Sequence, residues 1–336
     1  MALTAYAVVF TDREKVEFQE VELPAPGPDD VVVRVQHSWI SNGTEGSYLR
    51  GERIKGDTPW RPGDPWPFPI VAGYQKTGVV EWVGSDVEGI AVGETVFATI
   101  SYVGEGFFEK TGGHVSPAVT PQSQIWKLPA GLSPVAASCL VLAQVGYNCG
   151  TRPPVSEGDV AVVIGDGMVG HWSAQTLYSR GATVILAGKH DYRLERFPAD
   201  DRRHRCNITR EELQDIVRRV APEGVSIVVD TVGSVPAIEA CYPFMRHNSH
   251  IVSAGFHGTK GLIDIQPMRA LEATLYAPSG WTRERMDATL EMLADGRLDS
   301  ESLITHRFPA REAARAWELI LKRPEPVLGV VLEWEE

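Results

Sequence analysis

The stretch Val160-Ala161-Val162-Val163-Ile164-Gly165-Asp166-Gly167-Met168-Val169-Gly170 decides the fold. Five apolar residues in succession suit a strand buried on both faces, the condition met in a parallel sheet. Gly-x-Gly-x-x-Gly follows without a gap and runs into a helix predicted from Met168 to Arg180. In that setting the three glycines do different things. Gly165 makes the tight turn, Gly167 lets a pyrophosphate approach the backbone, and Gly170 lets helix and strand pack closely. The helix N-terminus adds partial positive charge. Gly165, Asp166, Gly167, Met168, Val169 and Gly170 are therefore expected to hold a dinucleotide. The competing reading is a glycine-rich turn without a ligand, and the strand-helix alternation around it argues against that.

Downstream the alternation continues: TVILA (183–187), a helix near 210–220, VSIVVD (225–230), a helix near 235–246 and HIVSAG (250–255). Ligands of open parallel sheets sit beyond the carboxyl ends of the strands, which brings Thr231, Val232, Gly255 and Phe256 into the expected cofactor site or leaves them as ordinary turns. A carboxylate after the second strand accepts hydrogen bonds from ribose hydroxyls and repels a 2′-phosphate. This chain has Gly188, Lys189 and His190 there, with Arg193 close behind. Glycine leaves space and the cations can neutralise a phosphate, so NADP(H) is expected over NAD(H). Solvated loop charges are the alternative, and Asp191 lies nearby.

Upstream, residues 1 to about 130 carry short β-rich runs (Ala5 to Phe10, Val31 to Ser38, Gly78 to Val83, Thr95 to Ile100) split by Pro and Gly, as in a small barrel. Past 280 come helices over Arg283 to Ala294 and Ala310 to Leu321 and a terminal strand, VLGVVLEW, expected to pack back onto the first domain. With 336 residues the chain is long enough for two domains. Its net charge of −12 argues against nucleic acid and anionic membranes as partners. Four scattered cysteines without a CxxC suit a reducing cytoplasm, and no signal peptide or membrane-length apolar run is written.

The order of several further motifs resembles the medium-chain dehydrogenase/reductase superfamily, alcohol dehydrogenase-like: PGPDDVVVRV (26–35), Gly43-Thr44-Glu45, Gly73 through Gly78, VGETV (92–96), KLPAGLS (127–133), VGY (145–147) and GRLD (296–299). The resemblance covers nearly the whole chain. It implies an α/β protein with a GroES-like β-barrel catalytic domain (1–135 and 280–336), a doubly wound parallel-sheet Rossmann domain binding NADP(H) (136–279), an active site in the cleft, and a homodimer. Zinc-dependent members look like CysGly(Ser/Thr)Asp and GlyHisGlu at the first two motifs. Here Asn42-Gly43-Thr44-Glu45 and Gly73-Tyr74-Gln75 stand instead, and the third ligand position falls near Val141. Asn, Tyr and Val cannot supply three zinc donors, so no metal is expected. The structural zinc lobe is missing too, since residues 98 to 114 contain no cysteine. GlyThrGlu after IleSer, with GlyTyr for GlyHis, is most similar to the branch containing bacteriochlorophyllide a dehydrogenase, which oxidises a ring-attached hydroxyethyl group.

Without zinc, the oxyanion built by hydride transfer needs a hydrogen-bond donor or general acid. Thr44 matches the hydroxyl that zinc enzymes use to relay the proton, and Tyr74 offers a phenol that neighbours such as Lys76 can tune. Glu45 and Gln75 are expected to orient those groups or to bind substrate hydroxyls. The connecting stretch 48–68 carries Tyr48, Trp60, Trp66 and Phe68 among arginines, which suits a flat or polyhydroxylated substrate, or serves to pin a long loop. The expected function is zinc-independent hydride transfer between NADP(H) and a secondary alcohol or ketone, cyclic or ring-attached. An NADPH-dependent enoyl or quinone reductase and a non-catalytic NADPH-binding sensor are the alternatives.

Overall fold

The computed structural model describes residues 3–334. The chain divides into two compact units, Met1–Val141 with Ser300–Glu336 and Leu142–Asp299. Each is built around its own sheets.

In the second unit six strands run parallel in the order Arg203–Asn207, Thr183–Gly188, Val160–Ile164, Val225–Asp230, Met245–Ser253, Thr274–Tyr276. Numbered along the chain this is 3-2-1-4-5-6, the doubly wound Rossmann order. Side chains alternate across the first strand: Val160, Val162 and Ile164 join one buried cluster, Ala161 and Val163 another. Burial on both faces is why this strand reads as an unbroken apolar run. The register sets Ile164 beside Ala187 and Asp230, and Asp230 beside Ser253. The carboxyl ends are thereby level, and the loops at Gly165, Gly188, Thr231 and Ala254 leave from one edge.

The first unit carries the barrel-like β structure. One sheet runs Ile125–Lys127, Thr95–Ala98, Lys76–Val83, Asp30–Trp39, Gly329–Glu333, Ile304–Pro309, with Ala118–Pro121 also on Asp30–Trp39. A second pairs Leu3–Asp12 with Lys15–Leu23, Ile70–Val71 and Val115–Ser116. Ser38 pairs with Lys76 on one side and Leu332 on the other, which seats it between the central strand and the returning C-terminal strand.

The α/β class and the Rossmann and GroES-like architectures match the reading of the sequence. Three details differ. The boundary expected near 280 lies at 299, so helix Arg283–Ala294 falls in the Rossmann unit. The tail of that segment is tied there: the Trp172 indole N–H donates to the Asp299 carbonyl at 3.2 Å, and Asp299 N–H donates to Gln175 Oε1 at 2.9 Å. The helix expected over 235–246 is short, Val235–Glu239. Its strand begins at Met245, early enough to pair with Val225. The last long helix is Ala313–Lys322, entered through a single 3-10 turn.

Candidate active site

At the nucleotide edge, Gly165 has φ +117°, and a Cβ there would lie 2.4 Å from Thr231 Oγ1. A Cβ on Gly170 would lie 1.9 Å from the Gly165 carbonyl oxygen. Both glycines are thus required by close packing of strand, helix and the Thr231 loop. Gly167 is different: a Cβ there meets nothing within 4 Å, so the approach to the N-terminus of helix Met168–Ser179 is open. Such a cradle fits a dinucleotide pyrophosphate. Met168 is buried and Val169 partly exposed on the first helical turn. Thr231 donates to the Ile164 carbonyl at 2.9 Å, and Val232 is exposed. Gly255 and Phe256 crowd Gly233, whose own Cβ would sit 2.4 Å from the Phe256 carbonyl oxygen.

The expectation of no carboxylate at the second strand end needs correcting. Asp166, the variable residue between the first two glycines, turns back to that position. Its Oδ2 accepts the backbone N–H groups of Lys189 at 2.7 Å and His190 at 2.8 Å. It also pairs with the His190 ring at 2.9 Å, and its Oδ1 with Arg193 at 3.4 Å. The space at Gly188 is therefore filled: a Cβ there would lie 2.4 Å from Asp166. Burial acts to raise the Asp166 carboxyl, but the two backbone N–H donors and His190 outweigh it and hold it below its ordinary value. Of the three cations expected to meet a 2′-phosphate, Lys189 alone has no ion pair among the described residues. Sequence reading also missed Asp230, fully buried, which accepts from the backbone N–H groups of Val232, Gly233 and Ser234. It thereby shapes the Thr231–Val232 loop.

In the first unit the structure brings Thr44, Glu45 and Tyr74 together and adds His114, which sequence reading missed. Thr44 and Glu45 open the short helix Thr44–Leu49. Gly73 has φ +83°, and its missing Cβ would lie 2.5 Å from His114 Cδ2; a Cβ on Gly113 would lie 2.1 Å from Tyr74 N. Two glycines thus let the 72–74 and 113–114 backbones interlock, with Gly113 and His114 N–H both donating to the Ala72 carbonyl at 3.0 and 2.7 Å. Glu45 Oε2 meets His114 Nε2 at 2.9 Å, and both groups are buried. Glu45 Oε1 accepts the Ser41 N–H at 2.8 Å. The far ring nitrogen, His114 Nδ1, meets Ser38 Oγ at 2.8 Å.

The Tyr74 hydroxyl meets the side chains of Ser41 and Thr44. Burial, then the charge of Glu45, push its phenol far above the ordinary value, against the pull of those hydroxyls and of Arg53. Lys76 does not tune it as expected: its Nζ donates to the Thr99 carbonyl at 2.5 Å, and burial pushes that amine down to about 7. Gln75 is fully buried, its amide donating to the Trp39 carbonyl at 3.1 Å. Tyr48 donates to the Gly56 carbonyl at 3.1 Å. Trp60, Trp66 and Phe68 contact one another in series, with centroids 5.7 and 5.4 Å apart. Trp66 is pinned to the first strand, donating to Asp12 Oδ1 at 3.0 Å with the Arg13 guanidinium 5.0 Å from its ring.

A zinc ion does not fit this donor set. Among the described residues no three His, Cys, Asp or Glu groups gather for a metal. Asn42 donates its amide to the Leu328 carbonyl at 2.7 Å, and Val141 is buried. The nearest good donors, Glu45 and His114, are engaged with each other.

A family model described as zinc-binding dehydrogenase matches residues 204–324. That match excludes positions 42, 74 and 141, so its name does not bear on the metal. The 2-desacetyl-2-hydroxyethyl bacteriochlorophyllide A dehydrogenase of Cereibacter sphaeroides is 27% identical, with 98% of each chain covered. Among solved structures, an Escherichia coli oxidoreductase/dehydrogenase of unknown specificity superposes with TM-score 0.86 at 19% identity, covering 99% of this chain and all of that one. A zinc-binding dehydrogenase of Sinorhizobium meliloti, solved bound to NADP, gives TM-score 0.79 at 18% identity, covering 98% and 99%.

Proposed function

Because the chain belongs to the medium-chain dehydrogenase/reductase superfamily, alcohol dehydrogenase-like, we propose that it is a zinc-independent, NADP(H)-dependent oxidoreductase acting on a secondary alcohol or ketone, cyclic or ring-attached. The observation that carries the reading is the Tyr74 hydroxyl, set between Ser41 and Thr44 at the motif position where zinc-dependent relatives place a ligand. Bound, the nicotinamide supplies or accepts the hydride. Tyr74 and Thr44 hold the substrate oxygen, and a protonated phenol donates to the oxyanion that zinc stabilises elsewhere. Gln75 supports the site by fixing the Trp39 backbone rather than by touching substrate. Ring-attached alcohols are suggested by the hydroxyethyl substrate in the name of the C. sphaeroides relative and by the aromatic series Trp60, Trp66 and Phe68.

For the cofactor, Gly165, Gly167 and Gly170 receive the pyrophosphate, and Lys189 with Arg193 outweighs Asp166 in charge, which favours a 2′-phosphate. Asp166 supports a second reading, NAD(H), because a carboxylate at this strand end accepts from ribose hydroxyls. A cytoplasmic homodimer belongs to the same proposal; the four cysteines are buried and not disulfide-bonded, as suits a reducing compartment.

The test is an assay with stereospecifically deuterated NADPH and NADH over ketone and enone panels, on protein whose zinc content is measured. Deuterium on a carbinol carbon supports the reading. Deuterium β to a carbonyl overturns it in favour of a C=C reductase, and stoichiometric zinc required for turnover overturns its metal-free part.

A further inference from the structure

One hydrogen-bond chain in the first unit runs in a single direction. It starts at Trp334, whose indole N–H can only donate and reaches Ser38 Oγ at 2.9 Å. Ser38 is fully buried, and among the described residues its hydroxyl's other partner is His114 Nδ1 at 2.8 Å. Having accepted from Trp334, Ser38 satisfies its own proton by donating to Nδ1, since a buried hydroxyl proton without an acceptor is costly. Nδ1 is then the accepting nitrogen of a neutral imidazole, and the ring proton sits on Nε2. Nε2–H donates to Glu45 Oε2 at 2.9 Å, while Ser41 N–H donates to Glu45 Oε1 at 2.8 Å. Every donor in the chain thus points toward Glu45. The carboxylate is left as a pure acceptor, charged, in the interior.

From this geometry we propose that Trp334, Ser38 and His114 are positioning residues that hold a charged Glu45 beside the Tyr74 hydroxyl, so that Tyr74 takes part in the reaction as a proton donor and not as a base. The proposal rests on the oxidoreductase reading above and adds a direction to it. In carbonyl reduction the substrate carbon gains a hydride with its electron pair, and the C=O π pair moves to oxygen. That oxygen takes the Tyr74 proton, the phenolic O–H bond breaks, and water refills the phenolate. In alcohol oxidation Tyr74 must first be deprotonated against the charge of Glu45, so oxidation is favoured only at alkaline pH. The charged groups acting on the Tyr74 hydroxyl are Glu45 from helix Thr44–Leu49 and Arg53 from strand Arg53–Lys55, with His114 acting through Glu45. Arg53 opposes Glu45 weakly, being committed to Asp57 at 2.6 Å and to Ser47 at 2.5 Å.

The test needs no substrate. The phenolate absorbance of Tyr74 is titrated as the difference between each protein and its Tyr74→Phe counterpart, in wild type, Glu45→Gln and Trp334→Phe backgrounds, with folding checked by circular dichroism. Glu45→Gln is expected to lower the Tyr74 midpoint by about one pH unit or more. Trp334→Phe, which frees Ser38 to turn and His114 to change tautomer, is expected to lower it by less. The alkaline limb of ketone reduction should fall in the same order, with a gain in alcohol oxidation near neutrality. An unmoved midpoint in folded Glu45→Gln overturns the proposal, as does a Trp334→Phe protein indistinguishable from wild type. A moved midpoint in a protein that reduces no ketone supports the charge arrangement and counts against the oxidoreductase reading.

Discussion

Two histidine–carboxylate pairs of equal length sit in the two units. Glu45–His114 and Asp166–His190 both measure 2.9 Å, but His114 is 0% exposed and His190 36%. Distance alone would make them equivalents. In the interior, however, no water replaces a lost partner, whereas at the nucleotide edge it does. On the proposals above, the buried pair fixes protonation states around Tyr74, while the pair with the part-exposed His190 adjusts which nucleotide the loop prefers.

The largest expected effect comes from breaking the buried pair. Glu45→Leu strands the Ser41 and His114 N–H donors and is expected to cost about 3–5 kcal/mol, whereas His190→Ala costs about 0–1 kcal/mol. Urea unfolding of the two variants measures both, and equal losses would break the comparison.

A third histidine sharpens it. His171 is fully buried, and burial pushes its imidazole down to about 4, only partly offset by the charge of Asp166. Between that value and the ordinary 6.5, the unfolded chain binds a proton that the folded chain refuses. Stability from this residue is present above pH 6.5 and falls as pH drops toward 4, by roughly 3 kcal/mol in full. The slope of unfolding free energy against pH in wild type and His171→Phe checks this, and identical slopes would contradict it.

Gly73→Ala attacks the buried pair sterically. At φ +83° a side chain is strained, and the new Cβ would press on the His114 ring 2.5 Å away. We expect a loss of about 2–3 kcal/mol and a fall in kcat with little change in cofactor KM.

How much of this was legible follows the same division. The Gly165–Gly170 cradle could be read because it is contiguous, and a buried strand feeding a turn leaves a mark in adjacent residues. Thr44, Glu45 and Tyr74 could be placed through a motif pattern. His114 could not, because its partners lie 69 and 76 residues away, and the chain that orients it begins at Trp334, 296 residues from Ser38. The available clue was steric: Gly73, and Gly112-Gly113 before His114, mark two backbones that must touch. Asp166 was visible as a residue but not as a direction. Its hydrogen bonds to the Lys189 and His190 N–H groups and its closeness to Gly188 are what show a carboxylate from the first turn at the end of the second strand.

A moderate effect is expected at that strand end. Asp166→Asn keeps an oxygen for the Lys189 and His190 N–H groups but removes the charge that engages His190 and Arg193. The ratio of kcat/KM for NADPH over NADH should rise about tenfold, the value of one charge-assisted hydrogen bond. A fall in that ratio would instead mean that Asp166 serves NADPH, by holding the Lys189 and His190 backbone in place.

The smallest effect separates the pairs by screening. Lys189 is exposed at the nucleotide loop, so its attraction for a 2′-phosphate acts largely through solvent and weakens as salt rises. Raising ionic strength from about 0.05 to about 0.5 M shortens the Debye length from well over to well under 10 Å and should reduce the NADPH preference about threefold, through KM. Glu45 and His114 are buried and leave almost no surface for ions to approach, so the alkaline limb of ketone reduction should stay in place over the same range. If salt moves that limb as much as it moves the cofactor ratio, the Tyr74 environment is open to solvent and the contrast between the two pairs fails. If it moves only the ratio, the charge at Glu45 is held by the protein interior, and the charge at Lys189 is shared with the solution.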